Sequence, residues 1–282
     1  MLKCATARLW RDCAAATAIA LCAACTQPAP KAADLGPPVT TPVRFLLTFD
    51  DGPSTWEPYN PTRAILDQLQ HNTVQPEVKA IFFVQTRAPA AGGSEAGRQL
   101  MRRSHTEGHL LAVHTGTPGG HISHAALSRE ALEESLRDAQ ADIAGIAGAA
   151  PRFVRPPFWV YNAVALESYA SVRMTMLLTD VNARDGQVWG VNLLPDKRFL
   201  IRAQLERMKR EWQDGAQPVL DGVTPVVATF HDVNSTTAEK LAEYLQLLLD
   251  ESRAAGLTLH RQPFYDRRED LERAASMRAR RL

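Results

Sequence analysis

Three short runs set carboxylates, an arginine and a histidine among turn residues: Asp50-Asp51-Gly52-Pro53, Arg155-Pro156-Pro157-Phe158-Trp159 and Phe230-His231-Asp232. His114-Thr115 and Thr179-Asp180 each close a further apolar run. Asp50 and Asp51 cannot share one role, because neighbouring side chains at a strand end diverge. One can bind a metal while the other handles a proton. All four cysteines fall within the first 25 residues. Chemistry in the remainder therefore rests on His, Asp, Glu, Ser or backbone, and a Cys-based zinc site is excluded there. Taken singly, each run has an ordinary explanation. Asp-Asp-Gly-Pro is good turn chemistry, His114 suits a satisfied core histidine, and His231-Asp232 suits a surface pair.

The elements that must hold these residues change that judgement. Seven β-like runs can be read, at 44–49, 78–84, 109–114, 153–155, 174–180, 226–231 and 257–260. Helical patterns lie between most of them. Asn60-Pro61 is an N-cap and first-turn pair for a helix with Ile65, Leu66 and Leu69 inward. Ser128 is placed to cap a stripe of Leu132, Leu136 and Ile143. Ile201, Leu205, Met208 and Trp212 form another stripe, and Leu241, Leu245 and Leu248 a third. Strands alternating with helices predict a parallel α/β sheet with helices outside. In such folds functional groups collect at the C-terminal ends of strands. Five of the seven runs end in Asp, His or Arg, a bias that scattered solvated charges would not produce.

Composition narrows the classes. The chain has 282 residues, with 32 Lys+Arg against 31 Asp+Glu and a net charge of +1. That balance argues against a nucleic-acid partner. The length suffices for a full core without covalent staples. Residues 1–25 read as an export signal: Lys3, Arg8 and Arg11 precede an apolar run too short to span a bilayer. Leu21-Cys22-Ala23-Ala24-Cys25 resembles a bacterial lipobox, which implies lipidation at Cys25. An envelope lipoprotein, touching the membrane only through that anchor, is the expected location. Residues 26–42 carry five prolines and read as an extended tether. The domain proper is expected over 43–262, followed by a charged tail, 263–282, that is a solvated helix or a frayed end.

The motifs, in order and spacing, resemble those of the polysaccharide deacetylases, carbohydrate esterase family four, which share the domain of nodulation chitooligosaccharide deacetylases. The resemblance covers about residues 43–262. Thr48-Phe49-Asp50-Asp51-Gly52-Pro53 resembles the family's first motif, Arg155-Pro156-Pro157-Phe158 the third and Phe230-His231-Asp232 the fifth. It implies a distorted, incomplete (β/α) barrel of about seven parallel strands. It also implies a metal-dependent hydrolase that removes N-acetyl groups from an amino-sugar polymer. An O-acetyl esterase and a catalytically impaired glycan-binding module of the same fold are the alternatives. By resemblance Asp50 is the general base, oriented by Arg155, and His231 is the general acid. The Phe158 N–H is the oxyanion donor, and Asp51 and His114 are metal ligands. Zn²⁺ is the expected ion, with Co²⁺ or Fe²⁺ also suited. Pro157, Phe158, Trp159, Tyr161 and Phe230 are expected to line the sugar site.

Two departures stand out. The family's second motif has two His four apart, whereas Pro118 occupies that position here. His121 and His124 follow His114 by seven and ten residues. The flanking Ser123 and Ala125-Ala126-Leu127 favour His124, with residues 116–120 looped out. The fourth motif is also altered. Asp180 is read as the carboxylate that tunes His231, with Asp185-Gly186 as the alternative.

Overall fold

The computed structural model describes residues 41–186, 197–213 and 217–279. The expected export signal, the expected lipidation at Cys25 and all but the last two residues of the expected tether lie outside the described residues. In chain order the elements are β1 (Val43–Asp50), α1 (Pro61–His71), β2 (Ala80–Gln85), α2 (Glu95–Thr106), β3 (Leu110–Thr115), α3 (Arg129–Ala147), β4 (Phe153–Val154), α4 (Ala163–Ser171), β5 (Thr175–Met176), β6 (Val181–Asn182), α5 (Arg198–Glu211), β7 (Thr224–His231), α6 (Ser235–Ala254), β8 (Leu259–Phe264) and α7 (Arg268–Arg278). The sheet order is β5-β4-β3-β2-β1-β7-β6, with every neighbouring pair parallel, and β8 pairs parallel with β1. The sheet curls into an incomplete barrel, the α/β architecture expected from the sequence. Helix boundaries follow local chemistry. Asn60 accepts the Arg63 N–H at the start of α1, Ser128 accepts the Ala131 N–H at the start of α3, and Gly148 closes α3 with φ of 74°. These are the N-cap bonds and the left-handed C-terminal residue that helices favour.

Strand periodicity positions the polar residues. Val43, Phe45, Leu47 and Phe49 share one face of β1 and pack in a cluster with Ile65, Leu66 and Leu69 of α1 and Leu241, Leu245 and Leu248 of α6. Leu46 takes the opposite face, with Ile81, Phe83, Ala112, Phe153 and Val227. Successive side chains alternate between faces, so Thr48 and Asp50 continue the inner row of β1. By the same count His114 follows Ala112, Arg155 follows Phe153, and His231 follows Val227 and Thr229. All four functional candidates therefore stand on the inner row at the C-terminal ends of their strands. Each apolar side chain buried beneath them contributes about 1.5–3 kcal/mol.

Two expectations are corrected. The segment beyond residue 262 is not a solvated tail. It completes β8 and forms α7, whose Leu271, Ala274 and Ala275 are buried in the inner cluster. Those residues are spaced i, i+3, i+4, one helix face, while Arg and Glu cover the others. Arg44 binds Asp266 at 2.6 Å, and Arg278 pairs with Asp180. The run expected at 174–180 is also not one strand. Only Thr175–Met176 pairs as β5, because the Arg155 guanidinium takes the carbonyls of Leu177 and Leu178 at 2.9 and 3.4 Å. The next pairing, β6, begins at Val181. Among the described residues no helix is long and apolar enough to cross a membrane.

Candidate active site

β1 delivers Asp50 pointing inward and hands Asp51 to the turn that follows, where its φ is 74°. Asp50 is 2 % exposed and its Oδ1 accepts from Arg155 Nη1 at 2.7 Å. Arg155 is fully buried. Nη1 also reaches Thr48 Oγ1 at 2.7 Å, and the guanidinium lies 4.0 Å from the Phe83 ring centre and 5.1 Å from that of Trp159. A buried guanidinium needs such a partner set, since removing one half of a buried pair costs about 3–5 kcal/mol.

Asp51 Oδ1 lies 3.0 Å from His114 Nε2 and 3.0 Å from His121 Nε2. One ligand atom from each of these residues falls within 4.8 Å of the other two. Asp51 Oδ1 and His114 Nε2 are nonetheless buried without a hydrogen-bond partner. Buried polar atoms are nearly always paired; converging but unpaired donors of this kind fit a divalent cation. His114 Nδ1 lies 2.9 Å from the Arg155 carbonyl. A carbonyl only accepts, so Nδ1 donates there and Nε2 is turned toward Asp51, the orientation in which metal-bound histidines are usually held. Burial raises the pKa of Asp51, but the imidazoles of His114 and His121 against it, with His231 nearby, outweigh that and hold the carboxyl well below its usual range.

The structure thus groups His121, not His124, with Asp51 and His114. The loop from 116 to 120 is not a passive bulge. Thr117 accepts the Gly120 N–H through its carbonyl, and Gly120 turns the chain at φ 73°, a conformation glycine adopts without strain. The His121 ring then stacks 5.1 Å from His114. His124 opens a short 3₁₀ turn and is buried, with Nδ1 2.8 Å from the Tyr169 hydroxyl. Burial lowers its pKa to about 3, so it stays neutral. The geometry favours His121 over the expected His124: His121 brings a ligand atom into the group with Asp51 and His114, while the His124 ring bonds Tyr169 of α4 and its Nε2 is buried without a partner. His121→Ala should weaken zinc binding by well over 100-fold. His124→Ala should cost no more than the ~10–100-fold typical of a supporting group. Equilibrium dialysis against zinc separates the two, and equal losses would refute the assignment.

His231 Nδ1 lies 2.8 Å from Asp185 Oδ1. Its own N–H donates to Asp185 Oδ2 at 3.0 Å, and the Thr237 hydroxyl donates to the same oxygen. The carboxylate that supports His231 is therefore Asp185. Asp180 instead accepts the Val227 N–H at 2.8 Å and pairs with Arg278, stapling β7 and α7. Burial alone lowers the pKa of His231, but the Asp185 hydrogen bond and charge, with Asp51 and Asp50, raise it to about 9. Gly186 lies over the imidazole; a Cβ there would fall 2.3 Å from Nε2. His231 Nε2 stands 4.0 Å from Asp51 Oδ2, so the acid candidate and the metal group share one cavity wall.

The expected sugar-lining residues divide. Phe158 is 58 % exposed, has φ of 59°, and sits 4.2 Å ring to ring from His121. Trp159 stacks over Arg155, and Tyr161 packs against the outer cluster. Pro157 is buried beneath them. Phe230 does not belong to the site. It is buried on the outer face against Phe49 and Tyr244, because strand alternation sends it opposite to His231. Two participants, Gln85 and Tyr169, carry no motif signal, and a third, Asp232, closes the Phe230-His231-Asp232 run. Gln85 bonds the Asp51 carbonyl, and Tyr169 holds His124. Buried Asp232 accepts from Thr62 at 2.8 Å, which in turn accepts the Ser54 N–H at 2.8 Å. Burial raises the pKa of Asp232 to about 7. Trp56 and Tyr59, 75 % and 82 % exposed, lie in the connection that leaves Asp51.

Residues 39–177 match the polysaccharide deacetylase family model. A chitin deacetylase of Arthroderma benhamiae is 30 % identical over 217 residues, covering 75 % of this chain and 48 % of that protein. A peptidoglycan-N-acetylglucosamine deacetylase of Bacillus cereus is 33 % identical over 113 residues, covering 40 % of this chain and 35 % of that one. The chain spans about half the length of the first two curated relatives it matches. The solved structure of the chitin deacetylase from Colletotrichum lindemuthianum superposes with a TM-score of 0.56 at 23 % identity, covering 79 % of this chain and 87 % of that one. In its fold, in its motif order and in the match over 39–177, the chain belongs to the polysaccharide deacetylase family.

Proposed function

We propose that this protein is a metal-dependent hydrolase that removes N-acetyl groups from an acetylated amino-sugar polymer. The observation that carries the reading is the convergence of Asp51, His114 and His121 with unpaired buried ligand atoms, between the Asp50–Arg155 and His231–Asp185 pairs. An acetamide is a poor electrophile with a poor leaving group. Asp51, His114 and His121 would hold a divalent ion, Zn²⁺ by the fit of two imidazoles and one carboxylate, which would supply acidified water and a polarised carbonyl. Asp50 accepts the proton of the attacking water, oriented by Arg155. The Phe158 N–H, presented by a left-handed turn, donates to the developing oxyanion, a contact worth about 3 kcal/mol. His231, protonated through Asp185, gives a proton to the departing sugar nitrogen.

Trp56, Tyr59 and Phe158 leave apolar faces exposed in the connections that carry Asp51 and follow Arg155. Such faces suit sugar rings and support a polymeric substrate. The leader pattern of residues 1–25 supports export, with Cys25 as the lipidated residue. Envelope polymers containing N-acetylglucosamine are then the accessible substrates. The test is acetate release by the purified chain from peptidoglycan, chitin oligomers and acetylated xylan, with and without a stringent chelator. Release from an amino-sugar polymer, abolished by chelator and restored by zinc, is expected. Release from xylan alone would make the protein an O-acetyl esterase. Glycan binding without release would make it a binding module.

A further inference from the structure

We infer that Gln85 is the positioning residue that couples the two arms of the metal group and makes its lengthened histidine spacing workable. The inference rests on the metal-hydrolase reading above but concerns how this chain builds the site. Gln85 ends β2, beside the turn that carries Asp51. Its side-chain amide donates to the Asp51 carbonyl at 2.6 Å, and its main-chain N–H donates to the Gly52 carbonyl at 2.8 Å. Two consecutive carbonyls of one turn are thus held by one residue. That turn needs holding, because Asp51 is a non-glycine residue with φ of 74°, a conformation costing about 1–3 kcal/mol unless its surroundings enforce it.

The same side chain reaches the other arm. Its Oε1 lies where a Cβ at Gly120 would approach to 2.8 Å, and the Ala88 methyl closes the space at 3.3 Å. Gly120 is the left-handed residue that swings His121 back toward His114. The Gln85 carbonyl accepts the Gly92 N–H at 3.0 Å, and the Thr86 N–H donates to the Thr115 carbonyl at 3.0 Å, so the main chain around Gln85 is fixed as well. One amide therefore bonds the backbone of Asp51 and packs against the glycine that sets His121. A shorter or apolar residue here would free both arms. Ligands must be held within about 0.5 Å to bind well, so the consequence is a loss of metal affinity rather than of fold.

The test is zinc affinity of the metal-free protein, measured by competition with a chromophoric chelator in the absence of any glycan. Gln85→Met keeps the length and removes the donor; it should weaken zinc binding about 10–100-fold, the usual cost of losing a supporting partner. Gly120→Ala should weaken it by a comparable factor. The double variant should lose less than the product of the two, because both changes act on one contact. The melting temperature of the metal-free Gln85→Met protein should stay near that of the parent. Zinc affinity of Gln85→Met within threefold of the parent, or multiplicative losses in the double variant, overturns the inference. A parent chain that binds no zinc would overturn the metal-hydrolase reading itself, and is a separate result.

Discussion

Asp50→Asn should lower kcat for acetate release by about 10²–10⁴-fold, the usual worth of a positioned base, while zinc affinity stays within threefold of the parent. The separation follows from geometry. Asp50 bonds Arg155 and stands on the inner row of β1, whereas the metal group is Asp51, His114 and His121. Asparagine keeps an acceptor for Arg155 Nη1 but removes the charge that offsets a fully buried guanidinium. A lower melting temperature is therefore expected alongside the kinetic loss. Stopped acetate assays, zinc titration and calorimetry on one preparation read all three. A variant that loses zinc together with activity would move Asp50 into the ligand set. One that keeps kcat within tenfold would remove it from proton transfer.

Asp185→Asn should be nearly as damaging, and its signature is a pH profile. In the proposed mechanism His231 works protonated, and Asp185 is the main group that raises its pKa to about 9. Activity that depends on it is present below that value and is lost as pH rises through it. Without the carboxylate, burial pushes the imidazole down and only the charges of Asp51 and Asp50 oppose it. The alkaline limb of kcat/KM should then move below neutrality, with a rate loss of about 10²-fold or more at pH 7–8. The same linkage affects folding. A histidine raised above its ordinary value of about 6.5 adds stability that is full below that pH and vanishes as pH climbs through about 9. An unmoved alkaline limb in Asp185→Asn would assign the acid to another group. Asp180→Asn, which alters a staple to Arg278 rather than the acid, should leave the limb in place.

The polar strand ends were readable because two simple rules carry them. Parallel strands gather function at one end, and alternation decides which residue faces inward. The second rule also excludes Phe230, since His231 and its neighbour cannot share a face; there the information was present in the motif itself. The His121 placement was different in kind. It depends on a turn closed by Thr117 and Gly120 and on contact with Gln85, a residue 36 positions earlier than His121, so flanking similarity pointed to His124 instead. Asp185 was obscured because the run before it looked like one long strand, whereas Arg155 captures its carbonyls and ends the pairing early. The α7 segment was hidden by composition. Its Arg and Glu dominate the count, and the three small or apolar residues on one face were outweighed.

The central position of β1 has a consequence for how the chain reaches this state. β1 is among the first segments of the domain to be synthesised, yet along its whole length it pairs with β7, about 180 residues later. Its inner face is covered by α7 later still. Until those partners emerge, a strand whose every residue ends up buried has one unsatisfied edge and one uncovered face. Pairing across such separations is slow, because loop-closure entropy is lost before contacts repay it. The nascent chain is thus kept from closing early. The same delay makes β1 the segment most exposed to association with other chains while refolding, and weakening α7 would lengthen that exposure.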